Sequence, residues 1–263
     1  MIEQKYKVTK DGAVGRITLS NPDKHNAFDD ELIKGLTGAF TLLGNDEEVR
    51  VVVLAADGKS FSAGADLNWM KRMAGYDRAE NLEDSRALAQ LMKVINFLPK
   101  PVIGLVQGAA YGGGVGLVAC CDIVIASDRA SFCLSETKLG LIPAVISPYV
   151  VSAIGAQAAR RYFLTAERFD AVTAHRLGLI HEMVTGDALE LKGEEIIRAL
   201  LAAGPNAVGA AKDLIFAVDR PISAEVIEDT ANRIADIRAS DEGKEGLSAF
   251  LEKRKPAWVE GDN

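Results

Sequence analysis

Three short runs rich in β-branched residues constrain this chain more than anything else in it. They are 50–55 (Arg-Val-Val-Val-Leu-Ala), 101–106 (Pro-Val-Ile-Gly-Leu-Val) and 122–126 (Asp-Ile-Val-Ile-Ala). Each is too short for a helix and nearly all apolar, the pattern of a parallel strand buried on both faces. Parallel strands need long crossovers, and helical stretches lie between the runs at about 78–97 and 113–120. Upstream, 13–20 reads as a strand, 21–26 (Asn-Pro-Asp-Lys-His-Asn) as a loop, and 29–43 as a helix carrying Leu32, Ile33, Leu36, Phe40 and Leu43 on one face. Strand–helix alternation predicts an α/β fold. From about residue 145 the pattern turns helical, over 146–163, 170–177, 187–203, 206–218, 223–239 and 241–253. A helical carboxyl-terminal third on an α/β body is expected to be a lid or an oligomerisation element.

Composition removes several function classes. The net charge of −7 is a poor match to general nucleic-acid binding. Two uncharged stretches, 101–121 and 139–159, could pass for membrane spans. The first holds six glycines and a Gln, and the second holds Pro143 and Pro148, so both read as buried core. The opening residues carry neither the apolar centre of a signal peptide nor an Arg/Ser-rich transit pattern, and a cytoplasmic location is expected. Three cysteines, two of them adjacent (Cys120, Cys121), cannot form a disulfide framework. His25, His175 and His181 have no metal-ligand spacing, and neither a Gly-x-Ser-x-Gly elbow nor a Walker A sequence is present. No metal is expected. The chain shows no internal sequence repeat and no long polar linker.

Three segments carry candidate chemistry. Residues 61–67 (Phe-Ser-Ala-Gly-Ala-Asp-Leu) place small residues after a strand, where a ligand could approach and helix-start N–H groups stand free; a tightly packed turn has the same composition. Residues 108–116 (Gly-Ala-Ala-Tyr-Gly-Gly-Gly-Val-Gly) offer free N–H groups before an apolar helix, or else close helix packing. Within them, Gly114-Val-Gly116-Leu-Val-Ala119 formally matches a dinucleotide fingerprint. It is rejected because the preceding strand is expected to end near Val106, and no second mononucleotide half is visible. Glu136 is the only acidic residue between Arg129 and Glu167, in apolar surroundings. Desolvation there would raise its pKa and suit a general acid or base; a salt bridge to Lys138 or a nearby Arg is the alternative.

Taken in order, six segments resemble the enoyl-CoA hydratase/isomerase (crotonase) superfamily. They are Asn21-Pro-Asp-Lys-His-Asn-Ala-Phe28, the run Val51 to Asp66, the run Pro99 to Gly114, Cys121-Asp-Ile-Val-Ile-Ala126, Ala166-Glu-Arg-Phe-Asp-Ala171 and Phe250-Leu-Glu-Lys-Arg-Lys-Pro256. The resemblance implies a crotonase-like spiral of ββα turns with a carboxyl-terminal helical trimerisation region. On this sequence that is an acyl-CoA-binding core over 1–200 and an oligomerisation region over 201–263. It implies homotrimers, often paired into hexamers, and an acyl-CoA substrate whose coenzyme A is no separate cofactor. The shared chemistry is stabilisation of a thioester enolate by two backbone N–H groups, which fall on Ala65 and Gly113, with the dipole of the helix that follows Gly113. Losing one such donor typically costs about 3 kcal/mol of barrier. Substrate contacts carried over are Lys24, His25, Ala27, Ala63, Asp66, Leu67, Asn68, Gly112, Phe250 and Lys253. The last two lie in a basic tail segment that in relatives reaches CoA, in some from a neighbouring subunit; a solvated charge run at 253–255 is the alternative.

One position departs from the family pattern. Familiar hydratases carry two glutamates, and here the first position is Gly116 while the second is Glu136. A single carboxylate must activate water and deliver the α-proton through the same water. One base suffices for an enoyl-CoA isomerase, which stays open as the alternative. The wording of 61–70 and 133–149 is similar to methylglutaconyl-CoA hydratases of leucine breakdown and isohexenylglutaconyl-CoA hydratases of terpene breakdown, in which the Gly116 departure is familiar. Their substrates carry a second carboxylate, for which Lys71, Arg72 and Arg86 are candidate clamps. Trp69, Met70, Met73 and Tyr149 are candidate pocket walls. A non-catalytic RNA-binding protein, known among relatives of that group, is the remote third reading.

Overall fold

The computed structural model describes residues 5–259. Residues 1–4, part of the stretch on which the targeting expectation rests, and 260–263, the end of the expected oligomerisation region, lie outside the described residues. In chain order the strands are β1 (Tyr6–Asp11), β2 (Val14–Leu19), β3 (Val51–Ala56), β4 (Ser60–Ala63), β5 (Val102–Val106), β6 (Ala109–Tyr111), β7 (Ile123–Ser127), β8 (Ser131–Cys133), β9 (Phe169–Asp170) and β10 (Glu182–Val184). The helices are α1 (Asp30–Asn45), α2 (Leu67–Met73), α3 (Arg78–Asn96), α4 (Gly113–Cys120), α5 (Ser147–Thr165), α6 (Ala171–Leu177), α7 (Leu189–Ala202), α8 (Pro205–Val218), α9 (Ala224–Ala239) and α10 (Asp241–Glu252).

The three β-branched runs are β3, β5 and β7, and they sit side by side in a six-stranded sheet ordered β1-β2-β3-β5-β7-β10. Their near-continuous hydrophobicity has a simple cause. Val52, Leu54, Val102, Val106, Val124 and Ala126 point into the main core with α1, α3 and α4. Val51, Val53, Ala55, Ile103, Leu105 and Ile125 point to the other face, where α7 covers them with Ile196, Ile197, Leu200 and Leu201. Side chains alternate across a strand, so a strand covered on both faces is apolar at every position. Each such Val, Leu or Ile contributes about 1.5–3 kcal/mol by burial. Asp29 caps α1 by accepting from the Leu32 N–H at 2.8 Å, and the face read from spacing (Leu32, Ile33, Leu36, Phe40, Leu43) is the buried one.

Each long strand is followed by a short one and then by helix: β3-β4-α2, β5-β6-α4, and β7-β8 leading through a 3-10 turn at Glu136–Leu139 to α5. The short strands form a second sheet, β4-β6-β8-β9. This is the expected crotonase-like ββα spiral. It repeats in structure without repeating in sequence. β4, β6 and β8 are three or four residues long and made largely of Ala and Ser, so neither length nor β-branching betrays them. β6 also corrects the reason given for rejecting the dinucleotide fingerprint. A strand does run up to Gly112, but Gly114 already lies inside α4, so the motif's first glycine is not at the strand-to-helix turn. The helix expected over 146–163 is broken within α5 at Gly155, whose φ is +74°. Among the described residues no helix is long and apolar enough to cross a membrane.

α8 packs with α9 and α10, and one ion pair ties this group to the spiral. Lys212 of α8 is buried, and its Nζ donates to Asp122 Oδ2 at 2.7 Å and to the Lys100 carbonyl at 3.3 Å. The same Asp122 oxygen accepts from the Val102 N–H at 2.7 Å. Lys212→Met strands this carboxylate and is expected to cost about 2–4 kcal/mol in urea unfolding. Asp122→Asn in the same chain should recover part of that loss; full additivity of the two would show that the pair is not coupled.

Candidate active site

The site is built at the carboxyl ends of the short strands. β4 and β6 run parallel with Ser62 opposite Ala110 and Ala63 opposite Tyr111, after a register shift between Ser60 and Ser62; Ala65 and Gly113 each follow their strand by two residues. β6 and β8 pair Tyr111 with Cys133, and the Gly112 N–H donates to the Cys133 carbonyl at 2.9 Å. Three residues beyond Cys133 comes Glu136. The three neighbouring strands thus end together, and Ala65, Gly113 and Glu136 follow within three residues of those ends.

Both backbone donors are free. The segment before α1 lies along the end of β4: the Ala63 N–H donates to His25 O at 3.0 Å, Phe28 N–H to Gly64 O at 3.0 Å, and Asp66 N–H to Phe28 O at 2.7 Å. Phe28 thus pairs with the residues on either side of Ala65, so the Ala65 N–H faces away from it. Gly113 is the first residue of α4, where an N–H has no intrahelical acceptor. Among the described residues neither N–H has a hydrogen-bond partner. Gly112 enters the helix at φ +54° and ψ −121°, a conformation reserved for glycine. Gly114 lets α4 sit directly on β4, since a Cβ there would lie 2.2 Å from Ser62 O.

Glu136 is half-buried, in no ion pair among the described residues, so the salt bridge to Lys138 does not form. Its Oε1 lies 3.3 Å from where a Cβ of Gly112 would be, and its Oε2 is buried with no hydrogen-bond partner among the described residues. Burial pushes its carboxyl above the ordinary carboxylate range, with its own backbone N–H opposing in part. A desolvated, unpaired carboxylate beside two unpaired N–H donors is an arrangement for moving a proton next to a developing negative charge.

Gly116 faces a closed slot. A Cβ at this position would lie 2.3 Å from Ile146 Cγ2 and 3.2 Å from Met92 Cε. The place where the resemblance puts a second glutamate is filled by hydrocarbon from the start of α5 and from α3.

The remaining expected residues fall into two groups. Lys24, His25 and Ala27 lie beside Ala63, Asp66, Leu67 and Asn68. Lys24 pairs with Asp66 Oδ2 at 3.1 Å, and His25 Nδ1 is 3.0 Å from Ser60 Oγ. Asp66 also caps α2 through the Asn68 and Trp69 N–H groups. Burial raises its pKa, but these N–H groups and Lys24 outweigh it and hold the carboxyl below its ordinary value. Leu67 and Asn68 are exposed. Phe250 and Lys253 are elsewhere. α10 rests on α9 and α8, and beyond it the Trp258 carbonyl accepts from Arg50 at the amino end of β3, the end of the sheet away from Ala65. Of the clamp candidates, Arg72 is engaged with Asp30 at 2.5 Å, while Lys71 and Arg86 are exposed. Trp69 is buried and donates from Nε1 to Asp84 at 3.3 Å; Met70, Met73 and Tyr149 are half-buried.

Two further residues were hidden inside a quoted motif. Asn26, buried and at φ +52°, donates from Nδ2 to Asp57 O and Ser60 O, both at 2.9 Å, and accepts from the Asn21 N–H at 2.8 Å. It clips the loop 21–28 to β4. Phe28 is the second, through the bridge described above. An Asn after a loop and a Phe before a helix are too ordinary for spacing to single out.

A sequence model of the enoyl-CoA hydratase/isomerase family matches residues 9–261. The chain belongs to this family. Among solved structures it is similar to an enoyl-CoA hydratase from Shewanella pealeana, 49% identical with a TM-score of 0.95 over 97% of this chain and 96% of that one. It is also similar to Pseudomonas aeruginosa AtuE, 36% identical with a TM-score of 0.94 over 98% and 100%. The enoyl-CoA hydratase ACTT6 of Alternaria alternata is 36% identical over 211 residues, 80% of this chain and 68% of that protein. Family members act on acyl-CoA thioesters, and in the present chain the slot at Gly116 is closed. Gly116→Ala is expected to cost about 1–3 kcal/mol in urea unfolding. Combined with Ile146→Ala, the pair should be less destabilised than the sum of the singles by at least about 0.5 kcal/mol. Strict additivity would mean that Ile146 does not close the slot.

Proposed function

We infer that the protein is an enoyl-CoA hydratase for a branched, glutaconyl-type acyl-CoA, of the 3-methylglutaconyl or isohexenylglutaconyl kind. The observation that carries this reading is the Glu136 carboxylate, buried and unpaired beside Gly112, with hydrocarbon where a second carboxylate would stand. The thioester oxygen accepts from the Ala65 and Gly113 N–H groups. Ionised Glu136 takes a proton from water as the water oxygen bonds to the β-carbon. The π electrons move through the α-carbon onto the thioester oxygen, forming the enolate. As the enolate collapses, the α-carbon takes that proton back from Glu136, so water is added and the glutamate is regenerated. The Lys24–Ala27 and Ala63–Asn68 segments, with Gly112, bind the CoA portion. A substrate carboxylate compensates for the absent second glutamate by holding the water, with Lys71 and Arg86 as the uncommitted cations near α2.

The same single carboxylate also suits an enoyl-CoA isomerase, which shuttles one proton between two carbons. A product assay with 3-methylglutaconyl-CoA and crotonyl-CoA, wild type beside Glu136→Gln, separates the readings. Hydration of the first substrate far above the second, reduced by about 10²–10⁴-fold in the variant, is expected. Deuterium entering the α and γ carbons with no water added would replace hydratase by isomerase. The base must be ionised, so kcat/KM should fall as pH drops through the raised Glu136 pKa, with a midpoint above the ordinary value of 4.5. An acid limb centred at or below that value, or one unchanged in Glu136→Gln, would remove Glu136 from the base role.

We also propose that the enzyme is a homotrimer or a hexamer of paired trimers. Phe250 is 81% exposed and Leu251 77% exposed on α10, far from the site of their own chain, which favours Phe250 and Lys253 serving the CoA of a neighbour. Native mass spectrometry should give a trimer or hexamer; a monomer would end this reading.

A further inference from the structure

Phe28 touches both sides of the pair of free N–H groups, by two independent means. Its backbone brackets Ala65, since its N–H donates to Gly64 O at 3.0 Å and its carbonyl accepts from Asp66 N–H at 2.7 Å in a parallel bridge. Its ring packs on Gly113: Cε2, Cδ2 and Cζ lie 3.2, 3.3 and 3.5 Å from where a Gly113 Cβ would be. Phe28 is 2% exposed and belongs to the main core, as do Leu32, Leu36 and Val115. One residue therefore fixes Ala65 through hydrogen bonds and Gly113 through contact. Across this gap the sheet itself does not help. β4 ends at Ala63 and β6 at Tyr111, so no ladder bond sets the distance between residues 65 and 113.

We propose that Phe28 is the positioning residue that sets the separation and aim of the two N–H donors, a rigid aromatic spacer between the turn after β4 and the start of α4. It acts through Ala65 and Gly113, not on the substrate. The inference rests on the oxyanion reading above, which requires both donors at about 2.7–3.1 Å from one oxygen. Such a pair tolerates little slack, because a displacement of about 1 Å in a catalytic array can cost about 10²-fold in rate. A flat ring with two χ angles holds a gap more firmly than a flexible chain of similar volume.

The test uses Phe28→Leu, which shortens the spacer, and Phe28→Met, which keeps its reach and loses its stiffness. The probe is butyryl-CoA labelled with ¹³C at the carbonyl, a saturated thioester with no C=C to hydrate, followed by infrared difference spectroscopy on the full-length protein. Wild type should pull the bound carbonyl band to lower frequency than in free thioester. Both variants should lose a large part of that shift and lower kcat by about 10–100-fold, with KM little changed and circular dichroism like the wild type's. If either folded variant keeps the full carbonyl shift and the wild-type kcat, Phe28 does not set the donors and the inference is overturned, while the oxyanion reading survives. If the wild type itself binds the probe without shifting its carbonyl, the oxyanion reading fails and this inference fails with it.

Discussion

Everything at the site depends on where three parallel strands end. β4, β6 and β8 are parallel neighbours, and a parallel ladder leaves every second N–H on a strand pointing away from a given neighbour. Where the ladder stops, those groups are free. Phe28 takes up the groups flanking Ala65, and the first turn of α4 leaves Gly113 unbonded. Among the described residues two donors thus stay unpaired just beyond the ends of two short strands. The glycines follow from this. Gly112 makes the turn that only glycine can make, and Gly114 allows the helix to sit on the strand beneath it.

The second constraint is desolvation. Glu136 follows β8 in a 3-10 turn, and its carboxylate is held beside Gly112 with one oxygen unpartnered. A buried acceptor without a partner is costly, and burial of the same carboxyl pushes it above the ordinary carboxylate range. The Asp122–Lys212 pair offers a contrast within one chain. That carboxylate is also half-buried, but it accepts from a lysine and a backbone N–H, and it ties the carboxyl-terminal helices to the spiral. Two half-buried acids differ in what surrounds them, and so in what each can do.

Sequence reading reached the inner sheet because its strands are covered on both faces, which forces every residue to be apolar. It reached most of the helices because their spacing marks one buried face, and missed the seven-residue α2. It missed β4, β6 and β8, because strands of three or four residues drawn from Ala, Ser, Phe, Tyr and Cys are too short to carry a period. The site fared the same way. Glu136 stood out as a lone acid in an apolar stretch, and Ala65 and Gly113 came from resemblance to a family, because a backbone N–H has no letter of its own. Asn26 and Ile146 gave no signal at all. Their importance lies in three carbonyl and amide partners and in one filled slot, all brought together by chain closure.

By itself, then, the amino-acid sequence determined the α/β class, the helical last third and the family, since these rest on local periodicity and on ordered motifs. Only the tertiary structure decided that Phe28 reaches both Ala65 and Gly113, that Glu136 has no ion pair among the described residues, that Ile146 occupies the space beside Gly116, and that α10 packs on α8 and α9. Those facts are distances between segments some twenty to two hundred residues apart. They are set by strand register and side-chain packing, which no window along the chain contains.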